Sequence, residues 1–202
     1  MIRLLNDGAI ILAYSYNVRT RITTGIILRT DEADMTAIKD NLMHYKELAG
    51  HELLLRAVMT EISLKASKAY LSSIKQDIMD VEHSTGQHTW VNYIAKNEEP
   101  KSDAELSRIA HGLRIQIAAV NRKVDVISIW LELLLQGLSR GDRKAADRRR
   151  MPEWLDNMKT QHKMTRLDVD LLAKRAENQV GAVCQTPSPP LQTSDECSLK
   201  NA

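Results

Sequence analysis

The spacing of apolar positions changes character near residue 30. Before it the apolar runs are short. Ala9-Ile10-Ile11-Leu12-Ala13-Tyr14 is one, and the β-branched stretch from Ile22 to Leu28, interrupted by Gly25, is another. Both predict strands, and Tyr16-Asn17 between them is placed for a turn that makes them antiparallel neighbours. A lone two-stranded hairpin is marginal in water, so the pair needs a helix or further strands over it. Thr30 can cap such a helix, with Asp31, Glu32 and Asp34 at the positive end of its dipole. Met35, Ile38, Leu42 and Tyr45 then recur every three or four residues, and Gly50 closes the element.

A longer helix is predicted over 51–82, its face formed by Leu55, Val58 and Ile62 and continued by Leu71, Ile74, Ile78 and Val81. Ser84-Thr85-Gly86 stops it, and Asn97-Glu98-Glu99-Pro100-Lys101-Ser102 is a polar loop. The next segment carries the clearest pattern in the chain. Leu113, Ile117, Val120, Val124, Ile127, Leu131, Leu134 and Leu138 follow one another at steps of four and three without an error, and Leu106 and Ile109 extend the row backwards. Such a row is a seam that packs against another helix, in the same chain or in another copy. At ~1.5–3 kcal/mol per buried aliphatic side chain, eight positions represent on the order of 10–20 kcal/mol before chain entropy. The seam must be covered.

Gly137 and Gly141 are expected to end that helix, and Pro152 suits the first turn of a last one over 153–183. The last helix has Leu155, Met158, Leu167, Leu171, Leu172, Ala176, Val180 and Val183 as its apolar positions. The fold class is therefore mainly α with a small N-terminal β element (α+β), built of long antiparallel helices with a coiled-coil-like seam. Residues 1–50 form a strand-turn-strand plus helix, 51–184 a helical domain and 185–202, rich in Pro and Ser, a disordered tail.

Composition narrows the function more than it names it. In 202 residues, 43% are apolar and 27% charged, which excludes a collagen, a disulfide-stapled miniprotein and a wholly disordered chain. The absence of Phe requires an aliphatic core. The net charge of +2 argues against bulk nucleic-acid binding. It is unevenly spread: +3 over 1–30, −6 over 31–105 and +5 over 106–202, so an acidic middle and a basic end could steer self-association. No run reaches the ~18–20 apolar residues of a membrane helix; the best, 126–138, is short and contains Glu132. The start lacks a signal-peptide pattern, and two late cysteines, Cys184 and Cys197, give no disulfide framework. A cytoplasmic location is expected.

Motifs for chemistry are missing. His51-Glu52 begins like a zincin helix, but Leu55 stands where the second ligand belongs, and His83 and His88 are five apart across a glycine turn. No Walker loop, dinucleotide fingerprint or nucleophile elbow occurs, and no carboxylate pair is marked for catalysis. The expectation is a non-enzyme. Arg140, Arg143, Lys144, Arg148, Arg149 and Arg150 form a basic run that is a candidate contact for an anionic partner, nucleic acid or a lipid surface. Asp142 and Asp147 dilute it and no aromatics interleave, so a solvated inter-helix loop is the better reading. Trp90, Trp130 and Trp154 are expected to fill core.

Three blocks together resemble the fungal branch of the CorA-like divalent-cation transporters. The first is Thr20-Arg21-Ile22-Thr23-Thr24-Gly25-Ile26-Ile27 leading to Gly50-His51-Glu52-Leu53-Leu54-Leu55. Its end is similar to the family's His-x-Leu-Leu-Leu entry to a long helix, with Glu52 where Pro is usual. The second is the seam helix, 106–138. The third is Arg175-Ala176-Glu177-Asn178-Gln179-Val180-Gly181-Ala182-Val183, similar to the Arg-x-Glu-Asn-Gln segment of the family's stalk helix. The resemblance covers roughly residues 18–184 and implies a cytosolic domain ending in a stalk-like helix, ring assembly in full-length relatives and Mg²⁺ as the transported ion. Mg²⁺ enters as a ligand only through this resemblance.

The chain departs from the family where transport is concerned. It has no Gly-Met-Asn and no membrane helices after Val183, so no pore residue carries over. The expected function is that of a cytosolic-domain-like fragment or soluble paralogue, acting by association with itself or a full-length relative and unable to transport alone. A misread splice junction after Val183 would give the same tail. The alternative is a soluble helical interaction protein unrelated to transport. Neither reading includes nucleic acid as a partner; contact with a membrane surface is compatible with the first.

Overall fold

The computed structural model describes residues 2–3, 9–28, 32–86, 102–140 and 147–185. Strands β1 (Ile2–Arg3), β2 (Ala9–Asn17) and β3 (Ile22–Leu28) pair in the order β1-β2-β3, all antiparallel. The hairpin turn falls later than the sequence predicts. Tyr16 and Asn17 are still in β2, opposite Thr23 and Ile22, and residues 18–21 make the turn. Asn17 explains the shift. Its Oδ1 accepts from the Arg19 and Thr20 amides and its carbonyl from the Arg21 amide, with Arg21 at φ +58.

Four α-helices follow: α1 (Glu32–His44), α2 (Leu54–Ser84), α3 (Asp103–Arg140) and α4 (Asp147–Gln185), with a 3-10 turn at Lys46–Leu48 and Gly50 at φ +89 after it. The predicted Thr30 cap lies outside the described residues, as do Gly141 and residues 186–202 of the predicted tail. Helices α2, α3 and α4 form an up-down-up bundle. Trp154 of α4 reaches Glu61 of α2, and Arg175 reaches Glu82, so both cross-links have the same sequence offset and the two helices run parallel. Helix α3 runs against both. Its later residues Ile127, Leu131 and Leu134 share a core region with Met151, Leu155 and Met158, and its earlier ones Leu113, Ile117 and Val120 share one with Val169, Leu172 and Ala176.

Two glycine and proline expectations are corrected. Gly137 lies inside α3, which continues to Arg140. A Cβ there would meet Leu53 Cδ2 at 3.0 Å, so glycine lets the end of α3 pass close to the segment that enters α2. Gly137→Val should therefore destabilise the bundle by about 1–3 kcal/mol in urea unfolding, despite valine's better helix propensity. Pro152 is likewise interior: α4 begins at Asp147, and Met151, Trp154 and Leu155 are buried around the proline. Their packing offsets the one backbone hydrogen bond that Pro152 cannot make.

The core forms two continuous regions along the bundle. One gathers Ile38 and Leu48 with Leu53, Val58, Met59 and Leu64 of the α2 side, Ile127, Leu131 and Leu134 of α3, and Met151, Leu155 and Met158 of α4. The other joins Leu71, Ile74, Ile78 and Val81 to Leu113, Ile117, Val120 and Val124, and to Val169, Leu172 and Ala176. Residues 35–48 thus share a core with the first half of the bundle. The sheet sits at the same end. Tyr16 Oη donates to the Gly50 carbonyl at 3.0 Å, and the Arg56 guanidinium lies 4.8 Å above the Tyr14 ring.

Candidate association surface

The seam does not face outward. Leu113, Ile117, Val120, Val124, Ile127, Leu131 and Leu134 are all 0–4% exposed, and Leu138 packs partly buried against the same core. The cover comes from α2 and α4 of the same chain. A partner can therefore read only the other faces of the helices.

Helix α4 answers the seam with a matching row. Met151, Leu155, Met158, His162, Thr165, Val169, Leu172, Ala176 and Gln179 follow at steps of four and three, and all but the half-buried His162 are buried. His162, Thr165 and Gln179 hide this row from a hydrophobicity reading. Each polar group is satisfied in place: His162 donates to the Val124 carbonyl, Thr165 Oγ1 to the Gln161 carbonyl at 2.8 Å, and Gln179 Oε1 accepts from Thr85 Oγ1 at 2.8 Å. Leu167 and Leu171, expected in the core, are 53% and 56% exposed instead. They lie on the opposite side of the helix from Val169 and Leu172. On α2 the stretch between Ile62 and Leu71 is filled by Ser63, Leu64 and Ser67, the two hydroxyls donating back to the carbonyls four residues before them.

Two polar clamps hold α4 to α2. At one end Glu61 Oε2 accepts from Trp154 Nε1 at 3.1 Å and Glu61 Oε1 faces Lys65 Nζ at 3.0 Å. Tyr45 stacks on Trp154 at 3.8 Å between ring centroids, and its hydroxyl donates to Glu61 at 3.4 Å. Burial foremost, then the Glu61 charge and hydrogen bond, push the Tyr45 hydroxyl from 10.0 up to about 12. An absorbance titration near 295 nm should show one tyrosine ionising two units late, absent in Tyr45→Phe. The folded pKa exceeds the unfolded one, so this contribution to stability is complete below pH 10.0 and is lost as the pH rises through about 12. At the other end Arg175 donates Nε and Nη2 to Glu82 Oε1 and Oε2 at 2.8 and 2.6 Å. Thus Arg175 of the Arg-x-Glu-Asn-Gln segment grips the last turn of α2 and Gln179 the residue that follows it, while Glu177 and Asn178 are exposed.

No protein-family model matches the chain, and neither does any curated protein or solved structure.

The remaining candidates are dispersed. Arg143 and Lys144 of the basic run lie outside the described residues, whereas Arg140 ends α3 and Arg148, Arg149 and Arg150 belong to the first turn of α4. Arg150 pairs with Glu47. Trp154 is buried and Trp130 partly buried against the core, while Trp90, His88 and Cys197 are outside the described residues. Among the described residues, no group of three His, Cys, Asp or Glu is placed to hold a metal, and no helix is long and apolar enough to cross a membrane.

Among the described residues, two helix faces left open carry apolar rows. On the outer side of α3, Ile115, Val126, Ile129 and Leu133 are 42–72% exposed, and Ala118 and Ala119 are exposed between them. On the outer side of α4, Met164, Leu167 and Leu171 are similarly exposed. Both are rows on one helix face, which scattered surface leucines are not.

Proposed function

We propose that this chain works by helix-mediated association, as a cytosolic-domain-like relative of the CorA-type Mg²⁺ transporters, without catalysing a reaction and without moving ions by itself. The observation that carries the reading is the pair of exposed apolar rows on α3 and α4, left outside a bundle whose seam is already filled. The relation to the transporters rests on the three sequence blocks. The grip of Arg175 and Gln179 on α2 gives the stalk-like segment a place in the bundle. The working location in this reading is the cytoplasm, at the face of a membrane when a full-length relative is the partner.

Co-purification tests it. The chain, mixed with a detergent-solubilised full-length fungal CorA-type transporter, is expected to co-elute with it or to assemble with itself. A chain that does neither is not an association module. Self-assembly without transporter binding would replace the transporter relation by that of an unrelated helical interaction protein. A thermal-melt series with MgCl₂ addresses the ion: a rise in Tm that increases with concentration supports a resident Mg²⁺, and a flat series removes it from the reading.

A further inference from the structure

We infer that the outer face of α3 is where two copies of this chain pair, antiparallel, about a two-fold axis that crosses this face at the height of Val124. The inference rests on the association reading above and gives it an occupant, a second copy.

The argument is one of spacing. Ile115 and Leu133 are eighteen residues apart, as are Arg114 and Glu132. Eighteen residues are five full turns of an α-helix, about 27 Å of axis, so each pair falls on one line along the helix. The line through Ile115 and Leu133 runs down the middle of the exposed face, and Ala119, Arg122, Val126 and Ile129 fill the turns between. The line through Arg114 and Glu132 runs along one flank, with Asp125 beside it.

A two-fold axis in the plane between two antiparallel helices keeps each flank against itself. With the axis at the height of Val124, Ile115 faces Leu133 of the second copy, and the small Ala119 faces the larger Ile129, so bulk meets space twice. On the flank, exposed Arg114 comes beside exposed Glu132 of the second copy, and the symmetry makes that pair twice. The one charge in the middle of the face also finds a partner. Arg122 falls next to Asp125 of the second copy, whose carboxylate already accepts Arg166 of its own chain. A parallel pairing sets this flank against the opposite flank of the second copy, where neither Arg114 nor Glu132 meets an opposite charge, and is disfavoured. The α4 row has no such length: Met164 to Leu171 spans only seven residues, about 10 Å.

Sedimentation and size exclusion with light scattering, from about 1 μM upward, should give twice the 22.8 kDa of one chain. Ile129→Asp is expected to leave the circular dichroism of a folded bundle and to weaken the dimer at least 30-fold, roughly the worth of one buried isoleucine. Arg114→Glu and Glu132→Arg should each weaken it by about tenfold, and the double variant should recover it, because only the antiparallel register rejoins opposite charges. A chain that stays monomeric to about 1 mM overturns the inference, as does a double variant no tighter than its parents. Assembly that ignores Ile129→Asp but is lost in Leu167→Asp overturns it in favour of α4. In that case, and in a monomer that still co-elutes with the transporter, the association reading stands without this face.

Discussion

Leu131→Asp should abolish the native bundle at room temperature. Leu131 is 4% exposed and packs among Ile127, Leu134 and the α2 and α4 residues of the same core region. The substitution removes about 2–3 kcal/mol of apolar burial and leaves a carboxylate where several further kcal/mol are needed to desolvate it. The sum is of the order of a domain's whole stability, about 5–15 kcal/mol. Far-ultraviolet circular dichroism should lose its helical signal, or Tm should fall by tens of degrees. Ile129→Asp is the control. It is two residues away, about 200° around the helix, on the exposed side, and should change unfolding free energy by no more than about 0.5 kcal/mol in the monomer. If Leu131→Asp melts like the wild type, the inner face of α3 is not the core of this protein.

The second large effect is expected at the Arg175–Glu82 pair, whose side chains are only 15% and 9% exposed. Arg175→Ala leaves a buried carboxylate without its cation, and Glu82→Ala leaves the guanidinium without its anion. Either should cost about 3–5 kcal/mol in urea unfolding. Replacing both by leucine should cost far less, within about 1 kcal/mol of wild type, because two apolar side chains need no partner and fill similar space. The contrast between single and double variants is the result to look for. A single variant as stable as the wild type would mean that water reaches the pair freely.

These two sites differ in how legible they were. The α3 seam was plain because every position on it is aliphatic, so period and hydrophobicity agree from Leu113 to Leu134. The α4 row has the same period but carries His162, Thr165 and Gln179, whose polar atoms find partners only in the folded bundle. Hydrophobicity then promoted Leu167 and Leu171 in their place. The clamps were illegible for the same reason: a glutamate and an arginine 93 positions apart carry no local mark of being neighbours. Breakers misled at Gly137 and Pro152, where close approach to Leu53 and burial of Met151 decide, not propensity. Arg175 and Gln179, which carry part of the resemblance, have a packing task in the fold. The exposed face of α3 was masked by the seam itself. The regular row already satisfies the helix period, and Ile115, Val126, Ile129 and Leu133 carry no separate mark beside it.

The two clamps have a consequence for what changes of length the protein tolerates. From Glu61 to Glu82 on α2 is twenty-one residues, and so is Trp154 to Arg175 on α4. The two helices are struts of equal measure pinned at both ends. One residue inserted between Trp154 and Arg175 turns everything beyond it by about 100° and advances it by about 1.5 Å. Arg175 then faces away from Glu82 while Trp154 keeps its glutamate. The same residue inserted outside the pins, at 87–101 or after Gln179, disturbs neither. Between the pins, insertions close to a whole number of turns, such as seven, eleven or eighteen residues, taken into α2, α3 and α4 together, restore the inward rows.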